Sequence, residues 1–248
     1  MDVMNLIESL FRWIHVVAGI IWIGHLYFFN WVNSQFEPTL DAESKKKVIP
    51  ELRPRALYWF RWGAAFTWVT GVLLLMMVFY HGGALVVLGP GAIVMILVTF
   101  LAVFLYDYLT KVITDAQMQF WAGVVVAVVF VFLCEFVGGF NYRATSIHLG
   151  TMFGTTMAFN VWFRIWPNQQ KIITAIKAGQ APDPAMVALA GSRSRHNTFM
   201  SVPLVFMMLN AHNAWTDSAP LILLPLIVLI GFVGVYHLFK HAPSVKGF

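Results

Sequence analysis

Charge is what this sequence has least of: Asp, Glu, Lys and Arg make up 11% of its 248 residues, where about a quarter is usual for a soluble domain. So few charges cannot cover a water-facing surface, and with 59% of the residues hydrophobic the solvent implied is lipid. Cysteine is nearly absent as well. Cys134 is the single one and lies inside an apolar run, which excludes a disulfide framework and a CxxCH site for covalent haem c. A basic leader is lacking, because Met1 to Phe11 carries Asp2 and Glu8, so the first apolar stretch is expected to stay in the mature protein. The long apolar runs also lack the two-residue alternation of barrel strands, and open sheets cannot exist in hydrocarbon. The class expected is an all-α integral membrane protein.

What is present is a series of apolar runs, each near the roughly 20 residues that cross a bilayer. Seven spans are expected, at about 6–33, 57–81, 85–109, 119–140, 144–166, 196–214 and 219–240, so that residues 1–248 form one membrane domain, a bundle of about seven transmembrane helices. His81-Gly82-Gly83, Gly138-Gly139 and Asp217-Ser218-Ala219-Pro220 read as short turns. The stretches 34–56 and 167–195 are longer and polar, and are expected to carry interfacial loop helices. All of the 16 Lys and Arg except Arg12 and Arg143 fall on alternate loops, their helix ends and the C-terminus. That asymmetry orients the N-terminus outside and the C-terminus in the cytoplasm. The net charge of +5 reflects this sorting and attraction to anionic lipid, and carries no nucleic-acid inference.

The eight histidines divide by depth into two layers, with His15, His81, His148 and His212 in the outer one and His25, His196, His237 and His241 in the inner one. Imidazole in hydrocarbon needs a partner, which makes each intramembrane His a candidate functional group. His pairs from facing helices can ligate haem b, and two layers permit two haems that carry electrons between the membrane faces. The same side chains can instead hydrogen-bond to neighbouring helices or, at helix ends, sit at the headgroup level, and His81, His237 and His241, at the interfaces, read more readily that way. Small residues beside His15 (Val16-Val-Ala-Gly19) and beside His148 (Gly150 and Gly154) admit either a flat macrocycle or a close-packed helix.

Arg12 lies one turn from His15, Arg143 lies close to His148, and Glu135 reaches a similar depth. Two guanidiniums can clamp haem propionates or a planar anionic substrate; an Arg–Glu pair at the interface is the alternative. Asp107 and Lys111, one turn apart, read as a helical ion pair. A neutral His suits the role of general base at physiological pH.

Four segments carry a family resemblance. They are Arg12-Trp-Ile-His-Val-Val-Ala-Gly-Ile-Ile-Trp-Ile-Gly24, His148-Leu-Gly-Thr-Met-Phe-Gly-Thr155, Trp166-Pro-Asn-Gln-Gln-Lys171 continuing to Lys177-Ala-Gly-Gln-Ala-Pro-Asp-Pro184, and Arg195-His-Asn-Thr-Phe-Met-Ser-Val-Pro-Leu-Val-Phe-Met-Met-Leu-Asn-Ala-His212. Together they resemble the membrane domain of the bacterial membrane-bound urate oxidases, the urate hydroxylase PuuD family. The resemblance implies a multi-pass oxidoreductase of the bacterial inner membrane, acting in purine catabolism, that hydroxylates urate and delivers electrons to a cytochrome c rather than to dioxygen. His15, His148, His196 and His212 fall on the family's motif positions, and as haem ligands they rest on depth and chemistry. His25 stands where the family has a small residue.

Urate-oxidising members continue into a C-terminal cytochrome c domain, whereas this sequence ends at Lys246-Gly-Phe248 without a CxxCH. The expectation is therefore oxidation of urate or a similar planar anionic substrate near Arg12, His15, Arg143, His148 and His212. Electrons would leave, through haem b or directly, to an external cytochrome c or partner redox subunit. Two other readings stay open: a non-catalytic haem-bearing relay or anchor subunit of a membrane complex, and a small-anion transporter.

Overall fold

The structure, a computed structural model, describes residues 3–81, 88–210, 213–217 and 219–246. Among them there is no strand. The chain opens with α1 (Val3–Tyr27), which passes through a π-helical stretch (Phe28–Asn33) into α2 (Ser34–Phe36) and a 3-10 turn (Glu37–Thr39). Next, α3 (Ala42–Leu74) runs into a second π-helical stretch (Leu75–Tyr80). After α4 (Pro90–Val112) and α5 (Ala116–Phe136) comes α6 (Tyr142–Phe159), joined by a third π-helical stretch (Asn160–Ile165) to α7 (Trp166–Lys177). The remainder is α8 (Pro184–Asn210), a 3-10 turn (Ala214–Asp217), α9 (Leu223–His241) and a last 3-10 turn (Ala242–Ser244).

Local chemistry sets these boundaries. Asp41 starts α3 by accepting the Ser44 N–H and the Ser44 hydroxyl, both at 2.8 Å, and these bonds hold its carboxyl below the usual range. Pro90 opens α4 where a missing N–H costs nothing, and Asp115 caps α5 by accepting the Met118 N–H at 2.8 Å. The expected turn at Gly138-Gly139 is present, with Gly139 at φ +64 reversing the chain after α5. Gly179, at φ +71, closes α7, where the Gln180 N–H returns to the Ala175 carbonyl at 2.9 Å and the Gly179 N–H to Ile176 at 3.0 Å.

The two long polar connections are mostly helix. From Ala42, α3 runs unbroken through Pro50 and Pro54 into its apolar part, so much of 34–56 is the lower end of that helix rather than a separate interfacial one. Likewise 167–195 divides between α7 and the start of α8. The turn at Gly82-Gly83, the first residues of the span expected from 85, and His212 lie outside the described residues.

Among the described residues, five helical stretches are long and apolar enough to cross a membrane: Val3–Thr39, Ala42–Tyr80, Pro90–Val112, Ala116–Phe136 and Leu223–Ser244. The runs expected at 144–166 and 196–214, carried by α6 and α8, are not among them. Their sequences are interrupted by buried polar side chains: Thr145, Ser146, His148 and Asn160 on one run, and Asn197, Thr198 and Ser201 on the other, with buried Arg193 just before it on α8.

The chain forms two compact units. The first comprises Met1–Phe11, Gly71–Thr156 and Met200–Gly234; the second comprises Arg12–Thr70, Met157–Phe199 and Val235–Phe248. Within the first, a Cβ on Gly150 would sit 2.9 Å from the Met208 methyl, and one on Gly231 would sit 2.8 Å from the Pro203 ring, so both glycines serve close helix packing. The expected Asp107–Lys111 ion pair is also there, at 2.8 Å. Within the second, Trp22, Leu26, Phe60 and Ala64 form a buried core where α1 and α3 approach backbone to backbone at Gly63. A Cβ on Gly63 would meet the Trp22 nitrogen at 3.0 Å and the Ala18 carbonyl oxygen at 3.2 Å.

Gly63→Leu is accordingly expected to destabilise the protein by roughly 1–3 kcal/mol, because backbone cannot yield as a side chain can. Gly24→Ala, at a position with nothing within 4 Å, is expected to be neutral or stabilising. Thermal unfolding of both variants in detergent checks the pair, and equal midpoints would contradict the packing described.

Candidate functional site

In the first unit the site is built around His148. Asn141 starts α6 by accepting the Ala144 N–H on its side-chain oxygen at 2.9 Å, and His148 follows one turn after Ala144. Its Nδ1 lies 2.7 Å from the Ala144 carbonyl oxygen. A carbonyl can only accept, so Nδ1 carries the proton and Nε2 bears the lone pair. That lone pair accepts the Tyr80 hydroxyl at 2.7 Å. Tyr80 is the last residue of the second π-helical stretch. One extra residue in a helix turns everything beyond it by roughly 100°, and Tyr80 ends this stretch bonded to His148. The Phe140 ring covers the imidazole at a centroid distance of 4.5 Å, and His148 is fully buried. Beside it on α6, the Thr145 and Ser146 hydroxyls are buried and meet no acceptor among the described residues.

Phe140 also lines a cavity of about 570 Å³, bounded by Val131, Phe132 and Glu135 of α5, by Asn141 and Tyr142, and by residues 219–222 and Pro225 at the start of α9. The Tyr142 hydroxyl accepts from the Asn210 amide at 2.9 Å, and its ring packs on Trp215 at 5.8 Å. Glu135 makes no ion pair among the described residues. The cavity therefore offers three aromatic rings, one carboxylate and two hydrogen-bonding side chains. Flat rings with a polar edge match such walls. Arg143 is half-buried next to Tyr142.

The second unit holds His15 and Arg12, both half-buried on α1. His15 Nδ1 is 3.2 Å from Thr70 Oγ1, and the Thr70 hydroxyl donates to the Phe66 carbonyl at 2.6 Å. With that proton committed, Thr70 accepts from His15, so His15 Nδ1 is protonated and Nε2 keeps its lone pair. His25 is held in the same tautomer by the Ile21 carbonyl at 2.7 Å. Around α8 runs a series of buried amides. Asn160 donates to Asn197 at 2.8 Å, Asn197 donates to the Met157 carbonyl at 3.0 Å, and Asn30 donates to the Ser194 hydroxyl at 2.8 Å. His196 adjoins Asn197 on α8, and Arg193 is 2% exposed.

His15 thus shares a unit with His25, His196, His237 and His241, while His81 and His148 belong to the other. Arg12 goes with His15, and Arg143 with His148. As haem ligands the histidines differ. A ligating His typically donates its second N–H to a fixed partner and presents the other nitrogen to the iron, which is how His15 is arranged. His148 would first have to release Tyr80. Among the described residues no three His, Cys, Asp or Glu side chains gather into a site for a bare metal ion.

Tyr80, Asn30, Asn160, Asn197 and Arg193 were not singled out from the sequence as site residues. A signal was present for the asparagines, since an amide in an apolar run is as conspicuous as a histidine. For Tyr80 there was none, because the π-helical stretch breaks the 3.6-residue periodicity that assigns faces.

A family described as "Urate oxidase N-terminal" matches residues 1–48 and 40–246, which is nearly the whole chain. No curated protein and no solved structure matches.

Tyr80→Phe leaves the buried His148 Nε2 without a donor and is expected to cost roughly 1–3 kcal/mol. Asn197→Ala, which removes the acceptor of the buried Asn160 amide and the side-chain donor to the Met157 carbonyl, should cost a similar amount. Loss of thermal stability in both variants is the check; a neutral outcome for Tyr80→Phe would contradict the hydrogen bond.

Proposed function

Because the chain belongs to the urate oxidase N-terminal family, we propose that it is a membrane-bound oxidoreductase that oxidises urate or a similar planar anionic substrate and passes the electrons to a separate cytochrome c. The observation that carries this reading is the cavity of about 570 Å³ whose Phe140 wall is also the lid over His148. A flat heterocycle stacks on Phe132 and Phe140, its polar edge meets Asn141 and the Tyr142 hydroxyl, and Arg143 supplies the countercharge for the anion. His148 is the proton acceptor. Its tautomer fixes Nε2 as the receiving atom, and the Tyr80 hydroxyl passes its proton to that nitrogen as it takes one from the substrate side.

The residues fit haem b in one respect: His15, with Nδ1 committed to Thr70, is the ligand of choice. Haem held there would supply one-electron redox chemistry. The same His15 geometry favours a second reading, a haem-bearing relay subunit without its own chemistry. The chain lies in the bacterial inner membrane with its N-terminus outside, the orientation that the sorting of Lys and Arg supports.

Membranes from cells expressing this chain alone are expected to reduce added cytochrome c in the presence of urate, and Phe140→Ala to lower kcat/KM about tenfold, or about 1.4 kcal/mol of transition-state stabilisation. A rate no higher than that of empty membranes would leave only the relay. Separately, a dithionite-reduced spectrum should show a b-type band that His15→Ala abolishes and His148→Ala retains. Retention of the band in His15→Ala would remove His15 as ligand whatever the activity.

A further inference from the structure

Within the second unit, α3 enters its apolar part through a cluster of aromatic side chains, Tyr58, Trp59 and Trp62, with Trp162 packed edge-on against Trp62 at 5.5 Å. Arg61 lies inside this cluster. Its guanidinium carbon sits 3.9 Å from the centre of the Trp166 ring, 5.7 Å from that of Tyr58 and 6.0 Å from that of Trp162. Trp162 fixes the cage by donating its indole N–H to the Arg61 carbonyl at 3.1 Å.

Three of the basic residues preceding it on α3 find carboxylates: Lys47 pairs with Glu43, Arg53 with Glu37 and Arg55 with Glu51. Arg61 has none among the described residues, and its Nε is buried without an acceptor. Stacking on indole holds the guanidinium plane but satisfies no N–H, so the donors at its outer edge call for an anion. The site has the right depth for one. Here α3 passes from its charged part, with Arg53 and Arg55, into its apolar part, and the Trp and Tyr around Arg61 are the residues of a headgroup belt. Tyr58 and Trp62, the cage residue one turn before Arg61 and its neighbour on α3, are 47% and 40% exposed, so an anion arriving here would come with apolar chains to cover them.

We propose that Arg61 and its cage of Trp166, Trp162 and Tyr58 bind the phosphate of an anionic phospholipid headgroup. The guanidinium edge forks onto two phosphate oxygens, the rings fix its plane, and the acyl chains lie along the exposed aromatic face of α3. This site is independent of the redox reading and stands if that reading fails.

Native mass spectrometry of the full chain, purified in mild detergent and titrated with phosphatidylglycerol, tests it. The wild-type protein is expected to retain one more phosphatidylglycerol than Arg61→Ala at the same lipid ratio, with affinity at that position falling about tenfold and Arg61→Lys intermediate. Equal retention by wild type and Arg61→Ala would overturn the proposal, as would equal retention of phosphatidylcholine. Inorganic phosphate that raises the melting temperature as much as the lipid does would assign the site to a free anion and overturn the lipid. Should Arg61→Ala fail to fold, Trp166→Leu keeps the charge and removes the ring beneath it. Its retention of phosphatidylglycerol is expected to fall, and unchanged retention would count against the cage.

Discussion

A polar side chain in hydrocarbon has no water to fall back on, and the hydrogen bond from the Tyr80 hydroxyl to His148 Nε2 is where that constraint bears hardest. His148 is fully buried, its other nitrogen is committed to its own helix, and the residue that completes it comes from 68 positions away in the chain. Everything around the pair follows from keeping it dry and satisfied: Phe140 covers the imidazole, Asn141 sets the start of α6 so that His148 falls about two turns in, and the π-helical stretch ending at Tyr80 carries its partner. The second unit answers the same demand with amides, Asn160 to Asn197 and Asn30 to Ser194, each closing one buried group with another.

Much of the fold was legible in the sequence because lipid imposes a coarse rule, apolar length, that needs no knowledge of neighbours. It holds for the five stretches that face lipid over most of their circumference. It weakens at α6 and α8, whose Thr, Ser, Asn, His and Arg side chains turn inward, so that the helices with most to do are those least marked by hydropathy. The polar connections are helical as well, with α7 and the start of α8 within 167–195 and the start of α3 within 34–56. Polarity at 42–56 reports where α3 lies relative to lipid, and says nothing of whether the helix has begun; Asp41 and Ser44, a capping pair, were the better guide.

The site was legible only in its titratable members. His15 and His148 are conspicuous in an apolar chain, and both hold defined tautomers; depth groups them in one layer, and each has its hydrogen-bond partner, Thr70 or Tyr80, within its own unit. The tautomers separate the two by chemistry: an open nitrogen on His15 suits a ligand or a base, and a nitrogen already accepting from a phenol on His148 suits proton passage. No composition or spacing argument distinguishes them, since the difference lies in what Thr70 and Tyr80 do with their own hydrogens.

Three π-helical stretches, Phe28–Asn33, Leu75–Tyr80 and Asn160–Ile165, each carry a polar residue of these networks: Asn30, Tyr80 and Asn160. Such a stretch is the trace of one residue gained in a regular helix. Removing a single residue from any of them would leave a continuous, equally apolar helix, with all that follows rotated by about 100°. The chain would still read as the same membrane protein, letter for letter, while its tyrosine or asparagine faced the wrong way. What these three places depend on is a length, which no inspection of residue types alone reveals.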